Sequence, residues 1–390
     1  MKKPKSGSGK LKEASRANGK IAAVRSRLVH HKIARPIGTA IGAIGSHGYV
    51  AIEVFGEDGE FGICYARAFD LGVMRAAHSV VPLLAETLIG LQASDTTAAW
   101  NRMWRRIVLH SRSGVQAYAV STIDTAIWDL KARLCGLPVF RLLGGARRSV
   151  PSYYSGGFLN ITDKELAAEA ERVIELGCAA FKMRAGLPEL KRDVARARLL
   201  KKVFGKDIMV DAAGYFDRAG AIRAAQAFSE FSPVWLEDPV PTGKIKDLQD
   251  LRNTSAVPFA GGELLYTEAE VTSFGEKNAF DHVLFDLERI GGVTGWIRSA
   301  AVADHFGLRI SAHVYPEFAA HILCGLENGY YHETLEWSHE LFENPPVLKD
   351  GCITPSDEPG FGVRFDEGFI RKNLVEEVII GDKDVVKARR

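Results

Sequence analysis

Among the 390 residues no apolar run approaches the roughly 18 needed to cross a bilayer as a helix, so no membrane span and no membrane partner are expected. Cysteine is scarce. The five, at 64, 135, 178, 324 and 352, are odd in number, scattered and without CxxC spacing. That pattern suggests neither a disulfide framework nor a zinc site, and fits reduced core residues of a cytoplasmic protein. No GxSxG is found, and no Gly-rich phosphate fingerprint follows the first strand. Nucleophilic serine chemistry and a doubly wound dinucleotide sheet both lose ground on those two absences. Net charge is also small, at +2. It is uneven, because residues 1–20, "MKKPKSGSGKLKEASRANGK", hold seven Lys or Arg and one Glu, a local +6. This stretch has no apolar h-region, so it does not read as a secretory signal. Its Gly/Ser/Lys composition favours a basic, disordered extension over a nucleic-acid-binding arm.

Hydrophobic residues make up 46 % of the chain, ample for a large barrel and a smaller domain. Over 21–145 the pattern is first strand-like, in "KIAAVRSRLVHHKI" and "YVAIEVFGEDGEFGICYA", with an "EDGE" turn splitting the second run. Helices follow; in "AYAVSTIDTAIWDLKARLCGLP", Val120, Ile123, Ile127 and Leu130 recur at helical spacing, and Gly136 and Pro138 mark the stop. This part predicts an α+β capping domain. Over 146–355 eight short apolar runs alternate with amphipathic helices: "VPSYYS", "AAFKMR", "DIMVD", "PVWLE", "PFAGGE", "DHVLFD", "LRISAH" and "TLE". That is the grammar of a parallel β/α barrel. Residues 356–390 lack a further β/α unit and are expected to return to the capping domain.

Most of these strands end in an ionisable residue: Arg184, Asp211, Glu237, Glu263, Asp286, His313 and Glu336. In a β/α barrel the carboxyl ends of the strands form the active-site face. One such carboxylate is often only a helix cap. Three in succession, Asp211, Glu237 and Glu263, at equal steps of 26, are different. Converging without neutralisation they would be costly, and an all-oxygen set favours Mg²⁺ over Zn²⁺. Gly261 and Gly262 leave room for close backbone approach beside Glu263. Asp286 and His313 end neighbouring strands, where a carboxylate fixes the imidazole tautomer and raises its basicity. In "FKMRAG" the same strand face carries Lys182 and Arg184, two cations that would oppose the dyad. Metal, cations and a flanking base are the equipment for removing a proton α to a carboxylate through an enediolate.

At these residues the chain resembles the mandelate racemase branch of the enolase superfamily, within its mandelate racemase/muconate lactonizing enzyme group. The likeness runs from about residue 21 onward through "STIDTAIWDLKARLCGLPVFRLLGG", "VWLEDPVP", "PFAGGE" and "PGFGV". It implies a modified (β/α)7β TIM-like barrel with an α+β cap formed by the N-terminal part and the C-terminal tail. It also implies Asp211, Glu237 and Glu263 as Mg²⁺ ligands and Asp286–His313 as the family's dyad. Lys182 matches the first lysine of a Lys-x-Lys element that neutralises the substrate carboxylate, and Glu336 in "HETLEW" matches an acid that hydrogen-bonds it. Tyr153 and Ser155 fall where the first barrel strand supplies substrate contacts. Cap segments near "HHKIARPIGT" and "FGICYARAF" are expected to close over a small-molecule carboxylate. Relatives commonly assemble as symmetric homo-oligomers.

Two positions depart from that pattern. The second lysine, a base on one face of the substrate, is Arg184 here, and the residue two after Asp211 is Ala213, where relatives often carry Asn or His. Arginine stays protonated, so it is a poor proton acceptor and a good fixed cation. Two-base racemisation is thereby disfavoured. A syn-dehydration of a mono- or diacid sugar to a 2-keto-3-deoxy acid, with His313 as base and then acid, becomes the leading expectation. A racemase or epimerase of a 2-hydroxy acid is the alternative, with a non-catalytic binding protein on the same fold and a cycloisomerase behind it.

Overall fold

The computed structural model describes residues 19–388. The basic extension expected over 1–20 lies almost wholly outside the described residues. The chain opens with an antiparallel meander of β1 (Ile21–Thr39), β2 (Gly42–Gly56) and β3 (Phe61–Ala68). β1 runs past the expected strand end at residue 33 as far as Thr39. A register shift between Lys32 and Ile37 absorbs Pro36, which has no N–H to give the ladder. The result is a long hairpin whose tip, Ala40–Ile41, is pinned to the barrel. Gly38 N donates to Asn160 Oδ1 (2.8 Å), and Asn160 Nδ2 donates to Pro36 O (2.8 Å).

Helices α1 (Leu71–Ala85), α2 (Thr96–Arg106) and α3 (Val115–Leu134) cover the sheet. In α3, Val120, Ile123, Ile127 and Leu130 are all buried, as their spacing requires, and Gly136 leaves the helix at φ 66°. β3 lies so close to α3 that a Cβ on Gly62 would sit 2.1 Å from Ala126 O. Buried Asp129 ties three segments together, accepting from Ile63 N (2.9 Å), Phe361 N (2.7 Å) and Arg133 Nε (3.0 Å). A short α4 (Val139–Leu142) leads into the barrel.

The barrel alternates β4 (Val150–Gly156), α5 (Asp163–Glu175), β5 (Ala180–Arg184), α6 (Leu190–Phe204), β6 (Asp207–Asp211) and α7 (Arg218–Phe228). It continues through β7 (Leu236–Glu237), α8 (Ile245–Thr254), β8 (Phe259–Gly261), α9 (Glu268–Glu276) and β9 (His282–Asp286). It ends with α10 (Gly292–His305), β10 (Arg309–His313), α11 (Pro316–Gly325) and β11 (His332–Thr334). Neighbouring strands from β4 to β10 pair in parallel, and β11 pairs in parallel with β4. The ring closes between β10 and β11, where Ala312 N donates to Tyr331 O (3.0 Å) and Tyr330 N to Ile310 O (2.7 Å). Seven helices between eight strands make this a (β/α)7β barrel.

Tyr153, Ala180, Met209, Trp235, Ala260 and Leu284 fill the interior. Two positions further along β4, β5, β6, β7 and β9 come Ser155, Lys182, Asp211, Glu237 and Asp286, so period-2 alternation delivers the polar residues to the rim. After the barrel, β12 (Cys352–Ile353) pairs with β4. α12 (Glu367–Asn373) and β13 (Leu374–Gly381) then return to the first sheet, with β13 antiparallel to β1, and α13 (Lys383–Lys387) follows. All five cysteines are unpaired. No helix among the described residues is long and apolar enough to cross a membrane.

Where α11 meets α4, buried His321 accepts from Phe140 N (3.4 Å) and packs against Phe140 and Phe361. Burial pushes its imidazole down to about 3. Its folded value lies below the unfolded one, so its stabilisation is complete above about pH 6.5 and fades as pH falls towards 3. Thermal denaturation of His321→Gln is expected to lose about 2 kcal/mol of the wild-type stability difference between pH 7 and pH 5. An unchanged pH slope would contradict a neutral buried ring.

Candidate active site

The strand ends open onto a cavity of about 530 Å³ roofed by the capping domain. Thr39, Ile41 and Arg67 enter from the cap, and Arg184, Asp211, Glu263 and His313 from the barrel. That volume suits a small molecule.

On one wall, Asp211 and Glu237 are register partners on β6 and β7. Glu237 accepts from Lys182 Nζ (2.8 Å) and from Trp235 Nε1 (2.9 Å). Asp211 accepts from Arg184 and from Ala213 N (2.9 Å), with Lys182 Nζ at 3.9 Å. Glu263, two residues beyond β8, reaches His313 Nε2 at 3.0 Å. Gly262 turns at φ 114°, and a Cβ on Gly261 would lie 2.5 Å from Asp238 Oδ1, so the paired glycines make the approach possible.

Opposite, β9 and β10 place Asp286 and His313 in register. His313 Nδ1 is 2.7 Å from Asp286 Oδ2, which also accepts from Arg289 (2.8 Å). Burial alone would lower the His313 pKa, but the charge of Glu263 and the bond to Asp286 outweigh it and raise it to about 10. Glu263 answers in the other sense: burial opposes its charge, yet His313 holds it well below the usual carboxylate range.

Lys182 has no solvent exposure and lies beneath the cavity floor. Burial opposes its charge, but Glu237 and Glu333, the latter at 2.9 Å, raise its pKa. Arg184 bridges Asp211 and Ser155 Oγ (2.8 Å), and so orients Ser155. Tyr153 sits deeper than expected. It is fully buried, its hydroxyl donates to Ala312 O (3.1 Å), and it supports Lys182 from below instead of facing the cavity.

Glu336 requires a correction. It is exposed on the outside of the barrel, paired with Arg172 (2.9 Å), and the inward carboxylate is Glu333. The last strand runs over His332–Thr334, not "TLE", so the residue at its rim comes three positions earlier. Glu333 also accepts from Val314 N (2.6 Å), and burial, though it opposes the charge, is outweighed by Lys182, leaving it at about 2. Asp238, Arg289 and Arg67 are further site residues that strand-end patterning does not single out. Asp238 directly follows Glu237, "LERI" carries Arg289 one helical turn past Asp286, and Arg67 lies in "FGICYARAF", the cap segment expected over the substrate, where nothing marked the arginine itself.

These groups are unbalanced in charge. Asp211, Glu237, Asp238, Glu263, Asp286, Glu288 and Glu333 face Arg67, Lys182, Arg184, Arg289 and His313, seven acids against five cations. The surplus is felt at Asp238, whose Oδ1 is buried without a partner and whose pKa is raised by burial and then by Glu263 and Glu237. Each of the three strand-end carboxylates is turned to a cation of its own, and among the described residues no three converge on one point. An oxygen-only donor set, with the unpartnered Asp238 oxygen beside it, fits one hard divalent cation.

Two family profiles match the chain, Enolase C-terminal domain-like over residues 165–369 and Mandelate racemase / muconate lactonizing enzyme, N-terminal domain over 22–144. The chain belongs to the mandelate racemase/muconate lactonizing enzyme group of the enolase superfamily. It is 30 % identical to the 3,6-anhydro-alpha-L-galactonate cycloisomerase of Streptomyces coelicolor over 83 % of this chain and 91 % of that protein. It is 29 % identical to the L-talarate/galactarate dehydratase of Salmonella typhimurium, over 82 % of this chain and 80 % of the relative. The L-talarate dehydratase from Polaromonas sp. JS666, crystallised with Mg and L-glucarate, superposes with a TM-score of 0.88 at 28 % identity, covering 93 % of this chain and 99 % of that one.

For this member of the group, the two glutamates of "HETLE" are separable by stability. Glu333→Gln withdraws a buried partner of Lys182 and is expected to cost about 3 kcal/mol or more in urea denaturation. Glu336→Gln breaks only an exposed pair and is expected to cost less than about 1 kcal/mol. Equal costs would contradict this placement of the two side chains.

Proposed function

We propose that this protein is a Mg²⁺-dependent dehydratase of a sugar acid, working from one face of the substrate. The observation that carries this is the asymmetry of the cavity. His313 is the one imidazole lining it among the described residues, and the cations facing His313 are paired with buried carboxylates. Lys182 cannot give up its charge between Glu237 and Glu333, and a guanidinium at 184 does not deprotonate. Inversion at a carbon needs proton exchange on both faces; elimination does not.

Asp211, Glu237 and Glu263 would hold Mg²⁺, with buried Asp238 beside them. The bound cation supplies positive charge against the substrate carboxylate as negative charge develops there. Asp286 holds His313 Nδ1, which leaves Nε2 as the nitrogen that exchanges protons. Nε2 serves as base once it has left Glu263. It takes the C2 proton, and the electron pair passes into an enediolate. The same imidazolium then protonates the C3 hydroxyl, which leaves as water, and the enol tautomerises to a 2-keto-3-deoxy acid. Lys182 and Arg184 supply fixed positive charge on the far wall, in a site where displaced water strengthens every such interaction. The kinship to dehydratases of the group supports the reaction type. The cycloisomerase relative keeps a second outcome in view, β-elimination that opens an anhydro ring instead of releasing water.

Mixing the protein and Mg²⁺ with mono- and diacid sugars and 3,6-anhydro-L-galactonate, and assaying for 2-keto acid, tests the proposal. Dehydration is expected, and C2 inversion in D₂O without keto acid would overturn it. His313→Asn should lower kcat at least about 10³-fold, in line with loss of a group that acts as both base and acid. Asp211→Asn and Glu263→Gln are each expected to weaken Mg²⁺ binding about 10-fold or more by calorimetry, since each deletes a formal charge from the donor set. Chelation should abolish turnover, and activity persisting in excess EDTA would rule the cation out.

A further inference from the structure

Three guanidiniums line the cavity, and two are already engaged. Arg184 is on Asp211 and Ser155; Arg289 is on Asp286. The third, Arg67, enters from the cap at the end of β3 and forms no ion pair among the described residues. Its guanidinium packs against the edge-to-face pair of Phe69 and Trp337, whose ring centres are 5.6 Å apart, with Cζ 4.9 and 4.6 Å from them. Its nearest polar side chain is weak, His47 Nδ1 at 3.4 Å, and its Nε is buried without an acceptor. An arginine so packed loses water to the two rings, and the N–H groups left without an acceptor are free for a ligand in the cavity.

Its position is also fixed. Arg67 N donates to Glu288 Oε2 at 2.7 Å, and Glu288 is held by the Tyr315 hydroxyl. Glu288 lies two residues beyond Asp286, so the cap cation is locked in place relative to the catalytic dyad. The tie also explains why a cap residue can hold a defined position over a barrel site: it is anchored through its backbone, leaving the side chain uncommitted.

On the reading of the site proposed above, one substrate carboxylate is taken on the barrel side, among Arg184 and the strand-end acids with their cation. Arg67 stands in the other wall. We infer that Arg67 is the receptor for a second carboxylate at the far end of the substrate, and that the preferred substrates are aldaric (dicarboxylic) sugar acids over aldonic ones. The guanidinium fork matches a carboxylate in two parallel hydrogen bonds. A single unpaired cation matches its single charge, whereas a phosphate dianion would ask for more positive charge than Arg67 alone supplies. A terminal CH₂OH would leave the fork without its charged acceptor, and a site built to pair a charged group discriminates strongly against an analogue that lacks it.

The test compares five- and six-carbon aldarates with their matching aldonates, galactarate against galactonate among them, in the presence of Mg²⁺. The wild type is expected to prefer the better aldarate over its aldonate by about 100-fold in kcat/KM, the scale of a buried charge pair. Arg67→Met should cut kcat/KM for the aldarate about 100-fold more than for the aldonate, and Arg67→Lys, which keeps the charge and loses the fork, should recover part of the difference. Calorimetric binding of the same acids reads the preference without turnover. A protein that makes no keto acid yet binds aldarates tightly, and loses them in Arg67→Met, refutes dehydration and supports the receptor. Preference for the aldonate, binding of neither class, or equal loss of both in the variant overturns the receptor.

Discussion

A lysine without solvent contact sets the terms for the rest of the barrel. Lys182 on β5 is gripped by Glu237 on β7 and Glu333 on β11, with Asp211 on β6 close by, so one ammonium ties together strands from both sides of the ring. Taking these charges out of water is expensive, and the set holds because each member is paired. The grip also decides the chemistry of the wall, since an amine flanked by two buried carboxylates stays charged. Next along the same strand face, Arg184 is charged by its nature. The result is a wall whose two cations stay charged, each held against buried carboxylates.

Concentrating acids at one rim strains the backbone that carries them. Ala213, Asp238, Val314 and Tyr315 all adopt positive φ, between 39° and 56°, just after the strand ends of β6, β7 and β10. For a β-branched residue such as Val314 this conformation is unfavourable and persists only when its surroundings impose it. Glu333 imposes it directly by accepting the Val314 N–H. The pair that anchors Lys182 therefore also fixes the turn that follows His313. Beside it, Tyr315 bonds Glu288, which holds Arg67 of the cap. Floor, dyad and roof are linked through Glu333, Val314, Tyr315 and Glu288.

Much of this was legible in the sequence because barrel strands announce themselves twice, by an apolar run and by a polar residue at its end. Asp211, Glu237, Asp286 and His313 were found that way, each terminating a strand. The method failed where the pattern was short. "HETLEW" offers two glutamates three residues apart, and only the register of a three-residue strand tells which one faces inward. Tyr153 and Ser155 share a face of β4, but depth within the barrel is a property of packing, and alternation alone does not give it. Arg67 was legible only through its segment, "FGICYARAF", expected over the substrate; it belongs to a different domain from the dyad, so no spacing could single out the arginine. The long hairpin of β1 and β2 was missed for a related reason. Pro36 reads as a strand breaker, yet a bulge lets the strand continue past it.

The arginine at 184 is best understood together with Asp211. A lysine there would sit among the same carboxylates, and whether it acted as a base would depend on how far they were neutralised. A guanidinium removes that dependence, since it stays protonated whatever its neighbours do. With NH1 on Asp211 and NH2 on Ser155, its two termini are both engaged in holding the first and third barrel strands in relation to the second. Arginine at this position stands as a structural cation where lysine would have been a titratable group. Across the cavity Asp286 holds Nδ1 of His313 and Glu263 faces Nε2, so the imidazole is oriented from both sides.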